Sequence, residues 1–230
     1  MIYRLESNFA DRVLEFHSQM KTPRFSDQIV SVLTPKLEQT YLRQFLKKFY
    51  WDNRARLAVF GINPGRFGGG STGISFTDPV SLTVDCDIPN ELPQRREVSS
   101  QFIYGVVARW GGPTSFYGDV FLTAICPLGL VRAGKNFNYY DSSTLFSEIR
   151  PYLVDTIQKQ MTMGIRRDCV VVIGSGKNSS VFKELNHELG LFKKVFVLEH
   201  PRFIMQYQRS RLEYFLEKYE STFREALRHR

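Results

Sequence analysis

The chain has 230 residues, 43 % of them hydrophobic and 23 % charged, a composition typical of globular proteins. It contains no run of about 18 apolar residues and no apolar signal-peptide block near its polar N-terminus, which argues against a membrane span and favours an intracellular protein. The formal net charge of +8 favours an anionic partner, with nucleic acid among the candidates.

Apolar periodicity and Gly/Pro breaks predict strands that alternate with helices. In chain order we predict helices over 5–20 and 36–50, a strand over 56–62, a long loop over 64–94, a helix over 97–110, a strand over 119–125, a helical pattern over 142–163 with a kink or helix junction at Pro151, a strand over 168–174, a helix over 177–189, a strand over 193–199 and a basic helix over 204–228. This order predicts a three-layer α/β/α sandwich with a central four-stranded, mainly parallel sheet. We expect one domain over 1–230, with the first 50 residues as a helical segment packed on it.

Ligands of such sheets bind beyond the carboxyl ends of the strands. Asn63 and His200 are the polar side chains directly beyond the first and last predicted strands, so the topology could bring them to one crevice. Residues 126–130 and 174–177 follow the other two strands.

Several other motifs are too weak to assign. IGSGKNSS resembles a phosphate loop, but Val171 stands where its first glycine is needed. GINPGRFGGG lacks the GxGxxG spacing, and Pro64 interrupts the turn. Two lone carboxylates, Asp85 and Asp87, are more often solvated than metal-bound. Three well-separated cysteines, Cys86, Cys126 and Cys169, match neither a zinc site nor a disulfide framework and are expected to be buried.

The motifs beyond the strands carry a family resemblance. GINPGRFGGGSTGISF (61–76) resembles the first motif of the single-strand-selective monofunctional uracil-DNA glycosylases, and His200-Pro201 resembles the second. FLTAICPL, AGKN (133–136) and REVSSQFIYGVVARWGG resemble further segments in the same order. The resemblance implies the uracil-DNA glycosylase fold and hydrolysis of an N-glycosidic bond in DNA, which starts base excision repair.

The resemblance also implies site residues. Asn63 would position the water, and His200 would donate a hydrogen bond to the leaving base. Phe76 would stack on the base flipped out of the DNA, and backbone amides near Ile62 and Gly65 would line its pocket, where glycine at 65 leaves room. Neither motif offers a lysine suited to a Schiff base, which favours a monofunctional enzyme without metal or cofactor.

Residues after His200 correspond to the segment that the family inserts into the duplex, although HPRFIMQYQRSR departs from the family's H-P-S-P-R-N. Phe203 or Met205 is a candidate for the inserted side chain. The phosphate-contact candidates are basic side chains and a helix start: Lys135, Lys177, Arg202, Arg209 and Arg211, with Ser175 and Gly176 offering backbone amides.

Position 124 is the main departure from the family. Ala124 replaces an Asn that pairs with the uracil edge, and strand alternation turns Thr123 to the other face. Loss of such a contact costs about 1–3 kcal/mol of discrimination. We therefore expect weaker pyrimidine selectivity than the family's and acceptance of larger deaminated bases such as xanthine or hypoxanthine.

Two other functions remain open at this level: a non-catalytic nucleic-acid-binding module with the same fold, and a nucleoside hydrolase. Intact Asn63 and His200 favour a glycosylase over the first, and the basic, aromatic segment after His200 favours it over the second. We expect a monomer that acts on DNA in the cytoplasm, at the nucleoid, or in a nucleus.

Overall fold

The computed structural model describes residues 7–26, 30–33 and 40–229. Its strands are β1 (Val30–Leu33), β2 (Arg56–Gly61), β3 (Val120–Ala124), β4 (Gly129–Arg132), β5 (Lys135–Phe137), β6 (Ile165–Ile173) and β7 (Lys194–Leu198). Its helices are α1 (Phe9–Gln19), α2 (Thr40–Phe49), α3 (Gly69–Thr72), α4 (Pro79–Val84), α5 (Val98–Arg109), α6 (Pro113–Asp119), α7 (Ser143–Gln160), α8 (Lys177–Leu189), α9 (Pro201–Tyr207) and α10 (Leu212–Arg228). Short 3-10 helices cover Met161–Met163 and Arg209–Arg211.

A central sheet of four parallel strands, in the order β3-β2-β6-β7, confirms the predicted fold class. Gly61 pairs with Ala124, and Ile173 pairs with Leu198. All side chains of β2 and β3 are buried, as expected for strands covered on both faces. The register brings the carboxyl ends of the four strands to one edge.

Alternation along the strands sends side chains to two helical layers. On one face Phe60 packs on Phe182 of α8, with ring centroids 5.1 Å apart, and Thr123 donates a hydrogen bond to Gln160 of α7 at 2.6 Å. On the other face the Cys169 thiol contacts the Ala226 carbonyl of α10 at 3.0 Å. The sheet is thus covered by helices on both faces, which is the three-layer arrangement.

A second, antiparallel sheet of order β1-β4-β5 was not predicted. Its strands have three or four residues, too few for a periodic pattern to stand out. The β4–β5 turn places Ala133 (φ 47°) and Gly134 (φ 71°) in the left-handed region, which matches the twist of a tight hairpin. This hairpin is relevant to the site because Phe137 of β5 accepts a hydrogen bond from Asn63.

Other boundaries were shifted or missed. The loop over 64–94 contains α3 and α4, and α7 continues through Pro151 as one helix, so no junction of two helices forms there. The helix predicted over 204–228 is wrong at its start, because Gln208 (φ −129°, ψ 23°) leaves helical geometry and separates α9 from the last helix. Residues 5–6 and 36–39 of the first two predicted helices lie outside the described residues.

Two smaller expectations concern the cysteines and membrane-spanning helices. Cys86, Cys126 and Cys169 are free and buried, as predicted, and burial raises the pKa of the Cys126 thiol to about 12. None of the helices in the described ranges combines the length and the apolar character that a membrane span requires.

Candidate active site

The carboxyl ends of β2, β3 and β7 open into one cavity of about 290 Å³. This is near the lower end of the roughly 300–1,000 Å³ of small-molecule pockets. The cavity therefore lies where the topology of a parallel sheet predicts a ligand site. Its lining includes eight of the predicted site residues, two of them at the rim: Ile62, Asn63, Gly65, Phe76, Ala124 and His200, with Arg202 and Phe203.

The side-chain amide of Asn63 is held in place through its nitrogen. Its Nδ2 donates to the carbonyl of Phe137 in β5 at 3.1 Å, and this donor role fixes which end of the amide is nitrogen. Its Oδ1 is buried and has no hydrogen-bond partner among the described residues. A buried acceptor without a partner costs about 1–3 kcal/mol, so the site keeps it at the expense of stability.

His200 is fixed in one tautomer. It lies at the N-cap of α9, where its Nδ1 accepts a hydrogen bond from the Arg202 backbone N–H at 3.1 Å. Burial, with a smaller effect of the Arg202 charge, lowers the pKa of His200 to about 4. The ring is thus neutral at pH 7, and its remaining proton is on Nε2, which can donate a hydrogen bond.

Phe76 lies beside these two residues in an uncommon backbone conformation. Its φ of 55° is rare for a non-glycine residue and is typical of positions over-determined by their surroundings. Its ring centroid is 6.2 Å from that of His200. A Cβ on Gly61 would approach Phe76 Cζ to 2.7 Å, so glycine at the end of β2 is required for this ring position.

Ala124, Ile62 and Gly65 complete the inner wall. Ala124 presents only a methyl group, while its carbonyl accepts a hydrogen bond from Gln160 Nε2 at 3.2 Å. The carbonyl of Ile62 is engaged by the Cys126 N–H at 3.0 Å. Gly65 does not leave open space as expected: a Cβ there would overlap the Glu97 carboxylate, which fills that side.

The polar cavity residues that were missed as individual site residues include Glu97, Asn136 and Asn138. Burial, together with the charge of Asp78, raises the pKa of Glu97 to about 7. Asn136 Oδ1 accepts a hydrogen bond from the Arg66 N–H at 3.0 Å, and this contact ties the β4–β5 hairpin to the glycine loop. The E-V-S and A-G-K-N segments were the available sequence features, but neither indicated which side chain turns inward.

The rim of the cavity carries Arg202, Phe203 and Tyr207. Phe203 is 43 % exposed and Tyr207 72 % exposed, with ring centroids 5.8 Å apart, one turn apart on α9. Met205, the other candidate for an inserted side chain, packs partly against the core. Tyr207 was missed because the sequence did not reveal where α9 ends.

Ser175, Gly176 and Lys177 lie beside the cavity and not in its wall. They line an adjoining cavity of about 250 Å³ that shares Ile62, His200 and Phe203 with the first. Lys135, Arg209 and Arg211 line neither cavity. Arg211 instead stacks over Tyr214, with its guanidinium 4.5 Å from the ring centroid.

A second aromatic feature lies on the glycine loop outside the cavity. The ring of Phe67 is contacted by the guanidinium groups of Arg66 and Arg95, at 4.3 and 4.9 Å from its centroid. Such cation–π pairs place two positive charges on a surface next to the site.

The Asp85 and Asp87 pair does not form part of a metal centre in the described ranges, where no group of three or more His, Cys, Asp or Glu side chains is arranged to hold a metal ion. Asp87 instead pairs with Lys48 at 3.1 Å.

Comparison with known proteins agrees with this geometry. Residues 48–228 match the family model described as the Uracil DNA glycosylase superfamily. The structure is similar to the crystal structure of wild-type SMUG2 from Pedobacter heparinus, with a TM-score of 0.90, 36 % sequence identity, and coverage of 95 % of this chain and 97 % of that one. No curated protein sequence matches the chain. The chain therefore belongs to the uracil-DNA glycosylase superfamily, within which the SMUG2 match confirms the branch that its motifs resemble.

Proposed function

We propose that the protein is a monofunctional DNA glycosylase that hydrolyses the N-glycosidic bond of uracil, and of larger deaminated bases, and leaves an abasic site for base excision repair. The observation that carries the proposal is the shared cavity in which the unpartnered Oδ1 of Asn63 and the neutral ring of His200 lie with Phe76.

The two polar groups suit the two charges that develop during hydrolysis. Asn63 Oδ1 accepts a hydrogen bond from the attacking water and orients it toward the C1′ atom of the sugar. His200 Nε2–H donates to a carbonyl oxygen of the base as negative charge accumulates there. Because its pKa is about 4, His200 performs this role as a neutral donor and keeps its proton.

Phe76 stacks on the extruded base, a contact worth about 1–3 kcal/mol per base in single-strand binders. No lysine lines this cavity in the part of the chain that the structure describes, which supports hydrolysis without strand cleavage. The proposed reaction needs no metal, so we expect excision to proceed in EDTA.

At the rim of the cavity Arg202 and Phe203 contact the DNA. Beside the cavity Lys177 contacts it too, and Ser175 and Gly176 offer backbone amides to a phosphate. The more distant Lys135, Arg209 and Arg211 add positive charge along the strand. We propose that the protein is a monomer, which size-exclusion chromatography would test, and that it acts wherever the cell keeps its DNA. The salt dependence of DNA binding would test the proposed phosphate contacts.

The central test is incubation with a single-stranded or duplex oligonucleotide that carries one uracil, followed by alkaline cleavage at abasic sites. Wild-type protein gives a cleaved strand only after alkali, and His200→Ala reduces excision by roughly 10²-fold. Strand cleavage without alkali contradicts the monofunctional assignment. No release from DNA, with release from free deoxyuridine, indicates a nucleoside hydrolase.

Substrate range is tested with matched uracil, hypoxanthine and xanthine oligonucleotides. Since Ala124 cannot hydrogen-bond a base edge, we expect measurable release of at least one deaminated purine. Ala124→Asn is expected to shift selectivity toward uracil by about 1–3 kcal/mol. A uracil preference above roughly 10³-fold in the wild type exceeds what one bidentate contact supplies and contradicts this expectation.

A further inference from the structure

The carboxylate of Glu97 is placed in the cavity by an unusual helix start. Glu97 is the N-cap of α5, but its side chain makes no capping hydrogen bond. Its backbone N–H is instead held by the Asp78 carboxylate at 2.7 Å. A residue at an N-cap ordinarily turns its oxygen back to the helix, so this arrangement frees the side chain for another position.

That position is against the glycine loop. A Cβ on Gly65 would overlap Glu97 Oε1, and a Cβ on Gly68 would overlap Glu97 Oε2. The loop backbone thus closes around the Glu97 carboxylate. The first of these glycines, Gly65, is two residues after Asn63 in the sequence. The amide of Asn136 approaches the same side of Gly65.

The carboxylate has no compensating partner there. Among the described residues it accepts no hydrogen bond and forms no ion pair, and the Arg202 charge acts on it without direct contact. A partly buried anion without a partner is costly, and it also repels DNA phosphates. Titratable groups in such surroundings are concentrated at catalytic sites.

We propose that Glu97 is the general base of the reaction, accepting a proton from the water that Asn63 orients. This inference rests on the proposed glycosylase function. An amide can orient water but cannot take its proton at neutral pH, so a group other than Asn63 must accept that proton. Glu97 lines the same cavity and is the acidic side chain in its wall.

The step balances as follows. The water oxygen forms a bond to C1′, the C1′–N bond breaks, and its electron pair leaves with the base, whose negative charge is held by the His200 hydrogen bond. The water proton passes to the Glu97 carboxylate. Glu97 later loses this proton to solvent, and the released base takes one from solvent.

The groups around Glu97 set the pH range in which it acts. Burial and the negative charge of Asp78 raise its pKa to about 7, and the positive charge of Arg202 from α9 opposes them. His200, the other titratable group in the wall, has a pKa of about 4 and changes charge outside this range. A base with a pKa near 7 is available at neutral pH and still accepts a proton readily.

The test is the single-turnover rate of uracil release between about pH 5.5 and 9, for wild type and Glu97→Gln. The wild-type rate should rise about tenfold per pH unit below pH 7 and level off above it. Glu97→Gln should lower the plateau by about 10²–10⁴-fold and abolish the slope. Its affinity for DNA with a non-hydrolysable 2′-fluorinated deoxyuridine should be no weaker than that of the wild type, because the substitution removes a charge that repels phosphates.

Two controls separate the possible outcomes. Glu97→Ala, rescued by added formate, identifies a missing base even if the Gln variant is poorly folded. A wild-type rate that is flat or falls with pH, or a Glu97→Gln variant with the wild-type rate and slope, overturns the inference. If wild type releases uracil and Asn63→Ala does not, the proposed function survives that result; a wild type that releases no base overturns both.

Discussion

The glycine loop over 61–76 and the segment over 200–207 both follow strands of the central sheet, yet they hold their side chains in opposite ways. The loop holds its side chains by local hydrogen bonds: Ser71 Oγ donates to the Arg66 carbonyl at 2.8 Å, and the buried Thr72 donates to the carbonyl of Thr77, directly after the loop, at 2.7 Å. In the second segment, His200 is fixed, but Phe203 and Tyr207 project into solvent and contact one another.

The difference separates chemistry from recognition. A reacting water and a leaving base must be held within a fraction of an ångström, which requires groups that are already locked in place. DNA arrives in variable shapes and is met by exposed aromatic and basic side chains that can adjust. Variants in the loop should therefore alter the rate of excision, and variants on the rim should alter binding.

Among variants of these two segments, the largest effect is expected from Asn63→Ala. Removing the buried Oδ1 should lower the single-turnover rate by about 10²–10³-fold, because the water loses its orienting acceptor. Asn90→Ala is the matched control, since Asn90 Nδ2 also donates to a carbonyl, that of Pro79 at 2.8 Å, but outside the cavity. Similar rates for both variants would show that Asn63 does not take part in the chemical step.

Gly61→Ala should follow, with a rate reduced by about 10- to 10²-fold. The new methyl group meets the far end of the Phe76 ring and displaces it from the base. The ring can move, so the free energy of unfolding should change by about 1 kcal/mol or less. Gly176→Ala, where a Cβ meets nothing within 4 Å, is the control for unfolding measurements. A normal rate in Gly61→Ala would mean that Phe76 does not stack on the base.

On the rim, Phe203→Ala and Tyr207→Ala should each weaken DNA affinity by about 1–3 kcal/mol, measured by fluorescence anisotropy. The melting temperature should be unchanged because both side chains are exposed. Trp51→Ala tests specificity, since Trp51 is 56 % exposed, has Lys47 above its ring, and lies outside the cavity lining. Equal losses in all three variants would indicate non-specific stacking.

The smallest effect is the contribution of His200 to stability against pH. Its folded-state pKa is about 4, below the ordinary value of 6.5, so the unfolded chain binds this proton first as the pH falls. Wild type should therefore lose about 1 kcal/mol relative to His200→Gln between about pH 7 and pH 5.5. Urea unfolding of both proteins measures the difference, in which the effect of Glu97 cancels. A constant difference would show that His200 is not desolvated.

The central sheet and the location of the site could be predicted from the sequence. The alternation of apolar strands with helices fixes a parallel sheet, and a parallel sheet brings its carboxyl ends together. Asn63 and His200 could be placed at one edge on this ground. Glu97, Asn138 and Tyr207 could not, because each enters the cavity through the direction of a helix start, a hairpin or a helix end that local sequence does not specify.

The strands of the central sheet, the glycine loop and the residue types at the strand ends could be read from the sequence alone, because periodicity and backbone permissiveness are local properties. The packed fold was needed to establish that β5 binds one end of the Asn63 amide, that Arg202 fixes the tautomer of His200, and that the space beside Gly65 holds the carboxylate of Glu97. These contacts join residues far apart in the chain or depend on burial, and they exist only when the sheet, the hairpin and the helices have packed together.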